Sequence, residues 1–395
     1  MRSVSETAAL LLGLAVAAGQ ATADESTGLA PEVTDLNAKD ISYGKEKKIP
    51  YLKQPFIDTA PNDLADGIPV GELGRDGGNK EMILRFVQEV AAGTHGDIDS
   101  MLLFHRDKLL FESYYRRGRL NYPHYQMSIA KSVTAMAIGR AIQLGHLSTA
   151  DLDRPVVSFL KDIDRPKLAS GAAAIKLSEA MNMRSGVRLD KEKAKELMKQ
   201  RNRLRGQGQV QMYLQHSAPI TEESKAFKYQ ASDPTMTMQV LEAVVPGSAK
   251  DFIKTEVFGR MGITNYAWQN DVSGLPKAAA GCCLRSRDML KWGMLIMNGG
   301  RWNGQQLIPE AFIERATGRI HTNKQKASYG YFWWRADMQV GDRAYDCKSG
   351  RGANGQYILM LPELELIVVF TAHTKGMGKM LKTTPERILP AFIRQ

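Results

Sequence analysis

The sequence predicts an α+β fold, with one mixed antiparallel sheet built from both chain ends, flanked by helices, and a mainly helical second lobe. Apolar runs of strand composition occur at 98–104 and 109–115, joined by four polar residues as in a β-hairpin. Four more such runs lie between 329 and 371. The intervening chain, from about 126 to 299, has mainly helical spacing.

The N-terminal end is expected to precede this fold. Arg2, an apolar stretch from Ala8 to Ala18 and the small residues Ala21-Thr22-Ala23 are typical of a signal peptide over residues 1–23. We therefore expect an exported protein, periplasmic or secreted. Residues 24–80 are rich in Asp, Gly, Pro and Lys and predict an irregular N-terminal arm.

The remainder, 81–395, divides into a sheet lobe (about 81–125 and 300–395) and a helical lobe (about 126–299). Pattern and turn residues predict its elements in order. The expected helices are 81–92, one opening at Ser128, 178–183, 190–205, 234–245, 288–297 and 385–394. The expected strands are 98–104, 109–115, 329–334, 343–348, 356–361 and 364–371, with Pro362-Glu363 as a tight turn.

Composition excludes several classes of protein. Of 395 residues 43% are hydrophobic, enough for a full core, and no apolar run after the N-terminus could span a bilayer. The net charge of +11 predicts a solvated basic surface, because no basic motif interleaved with aromatics indicates nucleic-acid binding. No spacing of metal ligands occurs, so we expect neither metal nor cofactor.

Three cysteines allow one disulfide in an oxidising compartment and leave one thiol over. Cys347 could pair with Cys282 or Cys283, whereas a bridge between those adjacent two would be strained.

The candidate chemistry begins with Ser128 and Lys131. Three helical residues bring both side chains onto one face, where a lysine amine could activate a serine hydroxyl. The spacing recurs at Ser42/Lys45 and Ser158/Lys161, but only Ser128 opens a long periodic helix, ending near Gly145. The alternative is an ordinary helix N-cap serine.

Two further segments could complete such a site. Tyr229, on a loop before a helix, is a second candidate base, although a packing role is the commoner one for tyrosine. Lys348-Ser349-Gly350, followed by a glycine-rich turn and a strand, could present a strand edge to a substrate. A plain hairpin loop is the alternative.

In this order, the three segments resemble the serine β-lactamase and D-Ala-D-Ala peptidase superfamily. The chain looks most like its class C β-lactamase-related esterases and 6-aminohexanoate-dimer hydrolases. Further stretches around these segments also resemble the family, and the resemblance covers roughly residues 80–395. They are 128–134, Gly145-His146-Leu147, 181–186, Arg287-Asp288-Met289 and Gly355-Gln356-Tyr357.

The resemblance implies roles for residues at matching positions. Ser128 would be the acylated nucleophile, and Lys131 and Tyr229 would share proton transfer, with the base left open. Lys348 and Ser349 would line the substrate edge, and the backbone N–H groups of Ser128 and of a residue just after Gly350 would hold the oxyanion.

Three departures from the family pattern qualify these roles. Ala231 stands where a tyrosine motif has Asn or Ser, unless Ser232 substitutes for it. Ser232-Asp233-Pro234 faintly echoes the Ser-Asp-Asn of class A enzymes. Lys-Ser-Gly replaces Lys-Thr-Gly, so Gly352 or Gly355 could take the key position instead.

The function expected is that of an exported serine hydrolase cleaving a small amide or ester through an acyl-enzyme on Ser128. Esters and linear amides are favoured over β-lactams, because the tyrosine motif is altered at Ala231. The alternative is a catalytically weak binding or sensor domain. An α/β-hydrolase is set aside, because Gly-x-Ser-x-Gly occurs nowhere. The sequence does not indicate an oligomeric state.

Overall fold

The computed structural model describes residues 28–322, 327–376 and 378–393. The expected signal peptide lies outside these residues. Within them, no helix combines the length and apolar character that crossing a membrane requires.

One nine-stranded sheet forms the centre of the fold, as the sequence predicts. Strands from the two chain ends meet in its middle, where Ile98–His105 pairs antiparallel with Leu366–Ala372. The strand order across the sheet is Phe56–Asp58, Lys108–Tyr114, Ile98–His105, Leu366–Ala372, Gln356–Leu361, Arg343–Gly352, Trp334–Val340, Ser328–Tyr329 and His321–Thr322.

Helices cover both faces of this sheet. Because both faces are buried, its central strands are nearly continuous apolar runs rather than alternating ones. One face packs on Lys80–Ala91 and the C-terminal turns. The other packs on Ile129–Gln143 and Ser286–Met297. The remaining helical-lobe helices are Leu177–Met181, Lys191–Leu197, Gly208–Gln215, Ser232–Val244 and Ala249–Phe252, and Glu310–Ala316 follows them.

Ile129–Gln143 is the helix that carries the Ser128 region to the interior. It is buried on all sides, from Ile129 to Ala141. A helix that is apolar all round belongs in a core rather than at a surface. Its N-terminus, fixed by contacts with both the sheet and the helical lobe, therefore has little freedom to move.

Several element boundaries differ from the sequence prediction. The expected strand 329–334 is not continuous. A two-residue strand, Ser328–Tyr329, is followed by irregular chain, and the long strand begins only at Trp334. The expected exposed helix 190–205 stops at Leu197 and resumes as a short 3-10 turn, Arg201–Leu204. The final helix is broken into Lys379–Thr383, Thr384–Ile388 and Leu389–Ala391, where Pro385 and Pro390 interrupt regular α-helical hydrogen bonding.

The N-terminal arm is more ordered than its composition suggests. Phe56–Asp58 adds an edge strand to Lys108–Tyr114. Tyr43–Glu46 forms one helical turn whose Glu46 is only 1% exposed. The Glu46 carboxylate lies 2.9 Å from His124 Nδ1 and accepts a bond from the N–H of Tyr125. This buried contact anchors the arm beside the chain that leads to Ser128.

The three cysteines are free and buried, so the disulfide that the sequence allows is not formed among the described residues. The reason is their distribution over the fold. Cys347 lies on the sheet face that packs on the N- and C-terminal helices, whereas Cys282 lies in the core of the helical lobe. Cys283 packs separately against the arm at Ile41.

Candidate active site

Ser128 lies at the start of its helix, but its hydroxyl is not used in a capping hydrogen bond. An N-cap serine ordinarily has extended backbone and a side chain that accepts a backbone N–H. Ser128 instead has helical dihedrals (φ −74°, ψ −6°), and its side chain makes no capping bond. The geometry is therefore not that of a structural cap.

The two residues before Ser128 fix this arrangement. Met127 has φ +50°, a left-handed conformation that costs a non-glycine residue about 1 kcal/mol. Gln126 holds the turn from the other side, because its N–H donates to Cys282 O (2.8 Å) and its Nε2 donates to His124 O (2.9 Å). Strained backbone held by its surroundings is a frequent property of functional sites.

Lys131 lies one turn into the helix and faces Ser128. Its ammonium donates to Ser128 Oγ at 2.9 Å and to the carbonyl oxygen of Ala279 at 2.6 Å. The side chain is only 4% exposed. Burial, with a smaller contribution from the charge of Lys277, lowers the pKa of Lys131 from 10.5 to about 7. A substantial fraction of this amine is therefore neutral at neutral pH.

Tyr229 reaches the same hydroxyl from the helical lobe. Its phenol lies near the Ser128 hydroxyl, and the Lys131 ammonium lies 4.9 Å from the centre of its ring. Although 42% of the side chain is exposed, burial of the phenol group raises the pKa of Tyr229, and the Ser128 hydroxyl offsets part of this. Tyr229 is therefore protonated at neutral pH, unlike much of Lys131.

A buried carboxylate holds the loop that carries Tyr229. Asp233 is fully buried, and it accepts hydrogen bonds from Gln230 Nε2 (2.7 Å), Ser232 Oγ (2.8 Å) and Ser185 Oγ (2.8 Å). Burial raises the pKa of Asp233 to about 6 despite these bonds. The segments around Ser185 and Asp233 were singled out in the sequence, but a contact between them was not predicted.

An aromatic wall stands beside Tyr229. Its ring stacks on Trp334 at 5.8 Å, and Tyr329 packs edge-on to the same indole at 4.6 Å. Phe227 joins from the loop that precedes Tyr229. Arg351 closes the wall from the neighbouring strand, with its guanidinium 5.3 Å from the Trp334 ring.

The strand Arg343–Gly352 offers a free edge next to Ser128. Its neighbour Trp334–Val340 pairs with it only as far as Trp334↔Ser349. Before Trp334 the chain turns into the helical lobe, where Phe332 donates to Met181 O and accepts from Ser132 Oγ. The segment from Gly350 to Gly352 is therefore paired on one side only, with the strand Gln356–Leu361.

Gly352 is the point where this edge and the Ser128 turn approach most closely. A Cβ at residue 352 would lie 2.4 Å from Gln126 O, whereas one at Gly350 would meet side-chain atoms, of Trp333 at 3.3 Å and of Ile358 at 3.7 Å. Of the glycines that the sequence offered, only Gly352 is thus excluded from bearing a side chain by backbone beside Ser128. Within the described residues, neither the N–H of Ser128 nor that of Ala353 has a backbone acceptor.

The structure brings together Ser128, Lys131 and Tyr229, with Gly350 on the adjacent edge. It does not bring Lys348 to them. Lys348 lines a different cleft, of about 310 Å³, with Met294 and Glu365. Burial, followed by the charge of Arg335, lowers its pKa.

The two other predicted binding residues are engaged elsewhere. Ser349 is buried and accepts a hydrogen bond from Arg351 Nε at 2.8 Å. Ser232 donates to Asp233 and so belongs to the support of the Tyr229 loop. Its neighbour Ala231 instead lines the cleft beside Lys131.

Ala279 and Arg351 are contributors that the sequence analysis missed. A carbonyl acceptor such as Ala279 O leaves no residue signature, so no pattern could have identified it. Arg351 lies between Gly350 and Gly352, and a cation between two glycines was the sequence signal that could have identified it. In the described part of the chain, no group of three or more His, Cys, Asp or Glu is arranged to hold a metal ion.

The model of the beta-lactamase family matches residues 90–391. Comparison with curated proteins gives no match.

Solved structures share the fold at low sequence identity. A Bacillus anthracis protein described as a 6-aminohexanoate-dimer hydrolase is 16% identical, with TM-score 0.64, covering 89% of this chain and 92% of its own. A D-stereospecific amidohydrolase from Streptomyces sp. is 14% identical (TM-score 0.54; 75% and 96% covered). A class C beta-lactamase is also 14% identical (TM-score 0.59; 80% and 97% covered).

Proposed function

The chain belongs to the beta-lactamase family and has its serine-hydrolase fold, and from this premise we propose that it cleaves a small amide or ester through an acyl-enzyme on Ser128. The observation that carries the proposal is the 2.9 Å contact between Ser128 Oγ and a buried amine whose pKa is about 7. A serine hydroxyl becomes a useful nucleophile only beside such a base.

In the acylation step, neutral Lys131 accepts the proton of Ser128 as Oγ attacks the substrate carbonyl carbon. The carbonyl π electrons move to oxygen and form a tetrahedral oxyanion. The N–H groups of Ser128 and Ala353 are the candidate donors to that oxygen, and the positive end of the Ser128 helix favours it further.

The leaving group then departs with a proton. Tyr229 is suited to deliver it, because its phenol is protonated at neutral pH and lies near the same serine oxygen. Lys131, now an ammonium, can return a proton to Tyr229. Neutral Lys131 then accepts a proton from a water molecule as that water attacks the acyl-serine, and it returns this proton to Oγ as the acid is released.

The relatives narrow the substrate only in part. The printed descriptions include an amidohydrolase, a 6-aminohexanoate-dimer hydrolase and a beta-lactamase, and at 14–16% identity they share the fold alone. Ala231 presents a methyl group where related tyrosine motifs carry an amide or hydroxyl, so we favour linear esters and amides over β-lactams. Export to a periplasm or the cell exterior remains part of this proposal, on the pattern of residues 1–23.

The test is covalent labelling followed by turnover. Wild-type protein treated with a fluorophosphonate should gain one adduct, located at Ser128 by peptide mass spectrometry, and should hydrolyse 4-nitrophenyl acetate. Ser128→Ala should lose both properties. An adduct without turnover would favour the binding or sensor alternative, and the absence of both would overturn the hydrolase proposal.

A further inference from the structure

A cleft of about 500 Å³ adjoins the Ser128–Lys131 pair. Ala279, whose carbonyl oxygen accepts from Lys131, lines it, as does Ala231, two residues after Tyr229. A substrate group seated in this cleft would therefore be attached close to the bond that is cleaved. The residues that line the cleft should therefore indicate which chemical groups the substrate carries.

Three cations line this cleft, namely Arg201, Arg205 and Lys277. All three side chains are exposed to solvent, and none forms an ion pair with an acidic group in the described part of the chain. The cleft contains one carboxylate, Asp271, whose Oδ1 accepts bonds from the N–H (2.9 Å) and hydroxyl (2.5 Å) of Ser273. The lining thus carries three cationic side chains against one carboxylate.

A buried polar group in the same lining also lacks a partner. Gln209 is only 4% exposed and donates through Nε2 to the Tyr213 hydroxyl at 3.2 Å. Its Oε1 is buried with no hydrogen-bond partner among the described residues. Such an acceptor is costly to leave unpaired, and because a carboxylate has no hydrogen to donate, it suits an N–H or O–H elsewhere on the same ligand, such as an amide N–H.

The basic character of the whole surface does not explain this arrangement. Arg203 lies on the same short turn, Arg201–Leu204, yet does not line this cleft; it bonds Gln200 Oε1 instead. Arg201 and Arg205, from either end of that turn, converge with Lys277 from a distant segment. Convergence from separate parts of the chain indicates a site rather than a general excess of lysine and arginine.

We propose that this cleft binds a carboxylate of the substrate, so that the esters or amides cleaved at Ser128 carry a negative charge remote from the scissile carbonyl. The inference rests on the proposed hydrolase function and names its substrate class. Guanidinium groups suit it because they bind carboxylates through paired N–H donors.

Binding tests the inference without catalysis. Isothermal titration at low ionic strength should show adipate binding to wild type, with uncharged 1,6-hexanediol binding far more weakly. Arg201→Gln/Arg205→Gln should weaken adipate binding about tenfold, since each partly exposed ion pair contributes modestly. Arg203→Gln removes a charge from the same turn and should bind adipate as wild type does.

Salt provides a second check on the same measurement, because added salt screens exposed charges. Adipate affinity should fall as NaCl is raised, in wild type more than in the double variant. Equal affinity for adipate and the diol, no adipate binding by wild type, or equal losses in the double variant and Arg203→Gln would each overturn the proposal.

Kinetics then shows whether the bound charge belongs to a substrate. On the acyl side, 4-nitrophenyl hydrogen adipate is compared with its neutral methyl ester. On the leaving-group side, 4-acetoxybenzoate is compared with methyl 4-acetoxybenzoate. The anionic member of at least one pair should have the higher kcat/KM with wild type, and the double variant should bring the two members of that pair close to equal.

The outcomes separate the two proposals. Turnover of neutral esters with no anionic preference in either pair would overturn the carboxylate site and leave the hydrolase intact. Adipate binding that depends on Arg201 and Arg205, with no Ser128 adduct and no turnover of any ester, would overturn the hydrolase alone.

Discussion

The carbonyl oxygen of Gln126 occupies the space that a side chain on residue 352 would need, 2.4 Å from the position of its Cβ. Gln126 precedes Ser128 by two residues, and Gly352 ends the strand whose free edge faces the cleft. The absence of one methyl group therefore sets the distance between the nucleophile turn and that edge.

Gly352→Ala should displace the Ser128 turn. A carbonyl oxygen fixed by its peptide cannot move away as a flexible side chain can, so overpacking should cost about 1–3 kcal/mol of stability. Ester turnover should fall much more than the thermal midpoint. Gly44→Ala is the matched control, because a Cβ there meets nothing within 4 Å; equal activity in the two variants would contradict this account.

Removing the Lys131 amine should lower kcat roughly 10²–10⁴-fold, the usual contribution of a general base. Lys131→Ala and Lys131→Arg should lose activity together, because a guanidinium keeps the positive charge but cannot become neutral near pH 7. Steady-state kinetics on 4-nitrophenyl acetate measures both. Substantial activity in the arginine variant would mean that Lys131 acts through its charge and not as a base.

The rate should depend on pH in the way that a neutral amine requires. Because burial and the charge of Lys277 lower the pKa of Lys131 to about 7, kcat/KM should rise with pH through that value and then level off. Lys277→Gln removes one of these causes, so the midpoint should move to higher pH, by less than about one unit for a solvent-screened charge.

Lys228→Gln provides the comparison for this shift. Lys228 adjoins Tyr229 in sequence and is exposed, but its charge does not act on the pKa of Lys131. The variant should keep the wild-type midpoint. If both lysine variants shifted the profile equally, the effect would come from net charge and not from the cleft.

Two serines on one helix should respond oppositely to alanine substitution. Ser128→Ala should leave the thermal midpoint nearly unchanged, since the side chain makes no capping bond. Ser132→Ala should cost about 1–3 kcal/mol, because it leaves Phe332 O without the buried hydroxyl that donates to it at 2.7 Å. Calorimetry and fluorophosphonate labelling measure the pair; labelling should survive only in the Ser132 variant.

The buried carboxylate of Glu46 in the N-terminal arm and the neighbouring His373 should make the free energy of unfolding decrease at both low and high pH. Burial pushes the pKa of Glu46 upward, but the hydrogen bond and charge of His124, with that of His373, bring it below 4.5. Its contribution is therefore present above that pH and is lost as pH falls through the folded-state pKa.

His373 contributes in the opposite sense. Burial lowers its pKa, but the 2.6 Å contact with Asp99 and the charge of Glu46 raise it above 6.5 overall. That stabilisation is complete below 6.5 and is lost as pH rises through the folded-state value. Urea unfolding should thus show greatest stability in the mildly acidic range between these limits.

Glu46→Gln should remove the coupling of the two groups. It replaces the carboxylate that faces His124 and His373 with an uncharged amide, so unfolding free energy should drop by about 3 kcal/mol at pH 6 and vary less with pH. Glu32→Gln, an exposed change on the same arm, should match wild type. A pH profile unchanged by Glu46→Gln would remove this network from the account of stability.

Sequence reasoning served best where a local pattern determines the outcome. The strand 356–361 has its predicted bounds, and Ser128 opens a helix as expected, because apolar periodicity and turn residues are local signals. The prediction was wrong for the strand that begins at Trp334, because the preceding residues pack against the helical lobe. It was also wrong for the C-terminal helix, because prolines interrupt it. The edge strand 56–58 was missed since three residues carry no pattern.

Contacts between distant segments limited prediction of the site. The spacing of Ser128 and Lys131 is local and could be seen directly. The low pKa of Lys131 requires burial and Lys277, and the choice among Gly350, Gly352 and Gly355 requires knowing where Gln126 lies. Neither follows from a sequence without its fold.

The pairing of strands Ile98–His105 and Leu366–Ala372 at the centre of the sheet has a consequence for biosynthesis. A ribosome completes the first of these strands long before the second emerges, so the middle of the sheet cannot close while translation continues. Contacts of such long sequence separation make folding slow and late. The central pairing therefore cannot form until residues 366–372 have been synthesised, a condition that suits any carrier that handles the chain unfolded.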